Sequence, residues 1–233
     1  MRTLELFSGT QSFSKGVKRY DLQADVITVD LLPKFSPTHC VNIMDWDYKQ
    51  YPVGYFSIIW ASPPCTEYSK AKTRGIRDLE GADALVRKAF EIIDYFQPKW
   101  WVIENVATGL LPKRMPSIRS GLSSYEADYC CYGKPYRKRT IFWSNCAFVL
   151  EKCRGKEKCP QMKDGRHIGS VGNGRRTYNE AKINSVWMKN SIPEALIDTM
   201  IRSFVYSYHQ RQTFAHHEQM PQPQSQQRHP YHP

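Results

Sequence analysis

Apolar and polar positions follow two rhythms along the first half of this chain. Short apolar runs at Thr3–Phe7, Ala24–Val29, Cys40–Ile43, Tyr55–Ala61 and Trp100–Ile103 read as strands, and helical stretches separate them. A short helix is predicted over Phe13–Tyr20 and a long one over roughly Leu79–Phe96. In the long one, Ala82, Leu85, Val86, Ala89, Ile93 and Phe96 recur at the 3.6-residue spacing of one apolar face. Pro98 ends that helix, because proline has no N–H to continue the ladder. Strands alternating with helices predict an α/β fold built on a doubly wound, mainly parallel sheet.

Past Ser123 the rhythm changes. Tyr125–Tyr132 and Thr140–Trp143 read as two β segments around Gly133-Lys134-Pro135, in the manner of a hairpin. Cys146 to Lys182 is basic, glycine-rich and without periodicity. Ser191-Ile192-Pro193-Glu194 reads as a capping box opening a last helix, with Leu196, Ile197, Met200, Ile201, Phe204 and Val205 on its apolar side. Beyond about Tyr208 the composition narrows to Gln, His and Pro, which predicts disorder. The expected organisation is a core over 1–145, a short basic insertion over 146–186, a helix over 187–208 that completes the core, and a tail over 209–233.

With 41% hydrophobic and 13% aromatic residues, the chain can bury a core. It has no apolar stretch long enough to span a bilayer and no signal-peptide pattern, so a soluble intracellular protein, nuclear or cytoplasmic, with no membrane partner is expected. Seven cysteines, an odd number, fit a reducing compartment. The +11 net charge is concentrated: Lys134–Arg176 holds 12 Lys+Arg against 3 Asp+Glu, a surface suited to phosphates.

Candidate chemistry sits at strand ends. Ser62-Pro63-Pro64-Cys65 follows the fourth apolar run, so two prolines present one thiol stiffly at the sheet rim, where ligands of such sheets bind. Phe7-Ser8-Gly9 is a glycine turn after the first strand. Asp30 ends the second strand, where a carboxylate can take ribose hydroxyls, and Asp45 follows the third. Together they suggest an adenosine-containing cofactor. Trp100–Val106 delivers Glu104, and Arg137 and Arg139 follow Gly133-Lys134-Pro135.

Phe-Ser-Gly, Pro-Pro-Cys, Glu-Asn-Val and Arg-x-Arg, in this order, resemble the cytosine-C5 methyltransferase family, as does Asn190-Ser191-Ile192 near the end. The resemblance covers about residues 3–145 and 187–205. It implies an S-adenosylmethionine-dependent, Rossmann-like methyltransferase fold and methylation of cytosine in DNA, with the base flipped out of the helix. It further implies Cys65 as the nucleophile on C6, Glu104 as the acid at N3, and Arg137 and Arg139 on the base and backbone. Phe7, Gly9, Asp30, Asp45 and Asn190 are implied to hold the cofactor. RNA as substrate, and a catalytically weakened module that binds nucleic acid or a partner, are the alternatives.

The chain departs from the family pattern in places. Gly9-Thr10-Gln11 replaces Gly-x-Gly, Thr66 replaces Gln after the Cys, Pro135 and Tyr136 precede Arg137, and Lys189 replaces Gly. The gap from Asn145 to Asn190 is shorter than the usual target-recognition domain. This implies relaxed specificity or a protein partner that supplies it. Cys146, Cys153, Cys159 and His167 do not match standard zinc-finger spacing and read as free thiols in a basic loop. A zinc site pinning the insertion is the alternative, and no metal is assigned.

Overall fold

The computed structural model describes residues 1–70, 72–155, 158–169 and 190–218, with side chains as far as 207. Five strands, β1 (Arg2–Leu6), β2 (Asp25–Asp30), β3 (His39–Cys40), β4 (Ile58–Ala61) and β5 (Trp100–Val106), pair in parallel in the order β3-β2-β1-β4-β5. The hairpin of β6 (Ser124–Asp128) and β7 (Arg139–Ser144) then adds through β7, antiparallel to β5, completing a seven-stranded sheet. Between the hairpin strands the chain makes a 3-10 turn over Tyr129–Tyr132, where strand had been expected to continue.

Both faces of the sheet are covered, which is why its strands are apolar on alternate and adjacent positions alike. Ile59, Ala61, Ile103, Ile141 and Trp143 face the core shared with α2 (Leu79–Phe96) and α3 (Leu111–Ile118). Ile58, Trp60, Trp100, Val102 and Phe142 face the core shared with α1 (Ser12–Tyr20) and α4 (Glu194–Glu218). Helix α2 has the predicted bounds: Asp78 caps it by accepting from the Gly81 N–H at 2.8 Å.

Several expectations shift. Strand β3 is shorter and earlier than Cys40–Ile43, and β5 runs on through Glu104 to Val106. Val205 is 45% exposed and so lies off the buried face of α4, whereas Leu196, Ile197, Met200, Ile201 and Phe204 are buried as expected. Helix α4 begins at Glu194 and runs past Tyr208 to Glu218. The tail beyond it, like residues 170–189 of the expected insertion and helix start, lies outside the described residues. Among the described residues, no helix is long and apolar enough to cross a membrane.

Buried Asp83 on α2 ties this face together. It accepts from Tyr68 Oη at 2.8 Å and from Arg114 Nε at 3.1 and 2.9 Å, joining α2 and α3 to the loop after β4. Burial pushes its carboxyl up, but the bonds from Arg114 and Tyr68 outweigh this and hold it below the usual range. Removing one partner of a buried pair leaves the other uncompensated. Asp83→Asn is therefore expected to cost about 3 kcal/mol of stability, measured from the urea midpoint. An unchanged midpoint would mean that the network contributes nothing.

Candidate active site

Strands β1 and β4 are neighbours, but the chain leaves them toward opposite edges of the sheet. Their carboxyl ends therefore flank an open crevice, the place where such sheets bind ligands. The turn after β1 lies on one side and the Pro-Pro-Cys loop after β4 on the other.

The first turn is unusual in its backbone. Phe7, Gly9 and Gln11 have φ of 54°, 45° and 57°, left-handed values that glycine alone adopts freely. At Gln11, where the family pattern has glycine, the side chain holds the strained conformation: Nε2 donates to the Phe35 carbonyl at 2.7 Å and the Ser36 carbonyl at 3.3 Å. The departure in sequence thus leaves the glycine-like path intact and adds a tether to the loop after β2. Asp30 closes the turn from beneath, accepting from the Gly9 N–H at 2.7 Å and the Leu32 N–H at 2.8 Å. Phe7, Gly9 and Asp30 are together at the rim. Asp45 is exposed, in the turn after β3, and Asn190 is exposed just before the segment that returns to α1. There Ile192 N–H donates to Ser12 Oγ at 3.0 Å, and Lys134 Nζ donates to Ser191 Oγ at 3.1 Å.

Glu5 was not among the candidates, because an acid inside an apolar strand gives no spacing signal. It is 3% exposed, on the α1 face of β1. Its carboxyl accepts from the Phe13 N–H at 3.3 Å, the Ser14 N–H at 3.0 Å and the Ser14 hydroxyl, so it holds the positive end of α1 against the turn. Burial outweighs these bonds and raises its pKa to about 7 from an ordinary 4.5. Between those values the unfolded chain has released the proton and the folded chain retains it. Stability should therefore fall as pH rises from about 4.5 to about 7, by about 1–3 kcal/mol. Glu5→Gln should flatten that slope in urea unfolding followed across pH; a slope unchanged by the substitution would assign it to another group.

The second loop is fixed by one amide. Asn105, 1% exposed and next to Glu104 on β5, donates from Nδ2 to the Pro63 carbonyl at 2.9 Å. Its Oδ1 accepts from the Val106 N–H at 2.9 Å. The strand carrying Glu104 and the loop carrying Cys65 are thereby held in one register. Downstream, the Cys65 carbonyl accepts from the Ser69 N–H at 2.8 Å and the Tyr68 carbonyl from the Leu110 N–H at 2.9 Å.

Burial raises the Cys65 thiol; the Lys138 charge lowers it and the Glu104 charge raises it again, so the three groups lie within electrostatic reach of one another. Glu104, 8% exposed, is likewise raised by burial, with Lys138 and a bond from the Ser62 hydroxyl opposing. A raised carboxyl favours the form that carries a proton. Lys138 is the second residue absent from the sequence reading: as the middle of Arg-x-Arg, it looks like one more charge in a basic run.

Arg137 and Arg139 converge on a third unexpected residue, fully buried Asp128 at the end of β6. Arg137 Nε and Nη2 lie 3.0 and 3.2 Å from its oxygens, and Arg139 Nε lies 3.7 Å away. Burial pushes Asp128 up, but the Arg137 bond, the Cys153 N–H at 2.9 Å and the arginine charges hold it low. Arg139 Nε is buried and makes no hydrogen bond among the described residues. A cavity of about 490 Å³ lies at the opposite rim, lined by Met1, Phe56, Ser57, Trp100 and Phe204, away from these groups.

The family model for C-5 cytosine-specific DNA methylase matches residues 1–119. The chain is 38% identical, over an alignment of 197 residues covering 76% of it and 88% of the relative, to the "Probable DNA (cytosine-5)-methyltransferase" of Frog virus 3 (isolate Goorha). Among solved structures it is similar to the Entamoeba histolytica methyltransferase EhMeth, with a TM-score of 0.49 and 20% identity over 65% of this chain; it spans 57% of that one. The chain belongs to the C-5 cytosine-specific DNA methylase family, and with it to the DNA (cytosine-5)-methyltransferases as an enzyme class.

Proposed function

We propose that this chain transfers a methyl group from S-adenosylmethionine to C5 of a cytosine turned out of DNA, through a transient bond between Cys65 Sγ and C6 of the ring. The observation that carries this reading is the Asn105 tie, which holds the loop of the thiol and the strand of the acid at one crevice. C5 of cytosine is a weak nucleophile until a thiolate adds at C6 and Glu104 places a proton on N3, which lets the ring take the electron pair. When bound, S-adenosylmethionine supplies a methyl group made electrophilic by its sulfonium. Loss of the C5 proton and departure of the thiolate then restore the ring.

The turn after β1 suits such a cofactor on three counts. Buried Ser8 Oγ has no hydrogen-bond partner among the described residues. A side chain at Gly9 would occupy open space, with only the Phe7 carbonyl near at 3.9 Å, so glycine leaves that space to a ligand. Asp30 faces the turn from the end of β2 and is proposed for the ribose hydroxyls, while Phe7, Asp45 and Asn190 are proposed for the adenine and methionine ends. On the substrate side, Arg137 and Arg139, gathered by Asp128 at the end of β6, are proposed for the base and the neighbouring backbone. The basic segment from Lys134 would hold the phosphate backbone, with sequence choice relaxed or supplied by a protein partner.

The test is methyl transfer from labelled S-adenosylmethionine to DNA and to RNA of the same sequence, read as 5-methylcytosine by nucleoside mass spectrometry. Label in DNA is expected. Label only in RNA would move the chemistry to the other substrate, and cofactor binding without label in either would remove the activity.

A further inference from the structure

Three cysteines and a histidine, far apart in sequence, meet in the fold. The ligand atoms of Cys130, Cys153, Cys159 and His167 all lie within 4.8 Å of one another. Cys146, which the sequence grouped with the last three, is not among them. It is 3% exposed in the core shared with α4, its sulfur 3.7 Å from Ser207 Oγ. Its place is taken by Cys130, 1% exposed, from the 3-10 turn between β6 and β7.

The spacing is that of a coordination shell. Tetrahedral zinc with Zn–S of about 2.3 Å and Zn–N of about 2.0 Å separates sulfur from nitrogen by about 3.5 Å. His167 Nε2 lies 3.5 Å from Cys153 Sγ and 3.6 Å from Cys159 Sγ. One imidazole nitrogen has a single N–H or a single lone pair, so it can satisfy one thiol by hydrogen bonding but not two at once. A cation between all four atoms satisfies every one.

The surrounding chain needs such a centre. Cys159 precedes, and His167 ends, a minimal hairpin, β8 (Met162–Lys163) and β9 (Arg166–His167), of a size that has no stability of its own. Among the described residues of 151–169 only Cys159 and Gly169 are buried, and the segment is rich in like charges. No apolar core holds it down. Around the cluster, Asp128 accepts from the Cys153 N–H while pairing with Arg137, which sets a cation beside the sulfurs.

We infer that Cys130, Cys153, Cys159 and His167 form a structural zinc site that pins the basic insertion to the turn leading into the Arg-x-Arg motif. Three thiolates and one imidazole select zinc over harder divalent ions, and four protein ligands leave no open position for catalysis. The site goes beyond the methyltransferase reading and does not depend on it. Asp128 then links metal and motif: its Oδ2 accepts from the Cys153 amide and from Arg137 Nη2, and its Oδ1 from Arg137 Nε.

The full chain, purified without chelator, is expected to carry about one zinc by elemental mass spectrometry. Cobalt exchanged into the wild type should give the visible bands of a tetrahedral ion and strong thiolate charge transfer. Cys130→Ser should weaken metal binding by more than the roughly 10–100-fold that an outer-shell change costs, while Cys146→Ser should leave it unchanged. A cobalt spectrum without thiolate charge transfer would overturn the site whether or not any variant folds. So would zinc held undiminished by Cys130→Ser, or a metal-free chain with a disulfide among these cysteines.

Discussion

Cys65→Ala is expected to lower methyl transfer by at least about 10⁴-fold and to abolish the covalent complex with DNA containing 5-fluorocytosine. Fluorine cannot leave C5 as a proton does, so the adduct persists and runs as a slow band on a denaturing gel. Affinity for S-adenosylmethionine should be unchanged, because the turn proposed for the cofactor hangs from β1 and the thiol from β4. An adduct that survives the substitution would take this sulfur out of the reaction. Because burial raises the thiol and Lys138 opposes that shift, kcat/KM should climb with pH on the alkaline side. Lys138→Met should move that limb to still higher pH.

Glu104→Gln should reduce kcat by about 10²- to 10⁴-fold, the range for loss of a positioned general acid. The amide keeps the shape of the carboxyl and can still bond the Ser62 hydroxyl, so the fold should survive. Single-turnover kinetics with cofactor affinity measured alongside separate the two contributions: the chemical step slows and the dissociation constant stays. A loss below about tenfold would mean that N3 takes its proton from another group.

Much of this architecture can be read in the chain because each strand end coincides with a motif. The α2 bounds follow from the apolar period, the Asp78 cap and Pro98. Helix α3 was hidden by its own composition. Pro112 lies in its first turn, where the missing N–H costs nothing, and Pro116 lies inside it, so a proline-based reading breaks a helix that tertiary packing of Leu111 and Met115 retains. Asn105 reads as a family letter and becomes mechanically meaningful only when its amide is seen on Pro63. The cysteine cluster was half visible. Cys153, Cys159 and His167 share one segment, but Cys130 comes from across the hairpin, and spacing carries no information about a ligand that arrives through the fold. Gln11 shows the converse: a residue that breaks the glycine pattern still takes the glycine conformation, because its side chain has partners across the turn.

One arrangement has a bearing on biosynthesis. Helix α1, near the start of the chain, is covered by α4, near its end: Arg19 pairs with Asp198 at 2.7 Å, and a Cβ at Gly16 would come within 2.3 Å of Ile197. While the chain is emerging from the ribosome, Phe13 and Val17 therefore have no lid until the segment after Ser191 is made. The nascent sheet must wait with one greasy side bare, the kind of state that holding chaperones recognise. Closure over the face beside the turn after β1 thus depends on residues far downstream, and a polypeptide released before Ser191 is expected to clump and not to fold into a smaller domain.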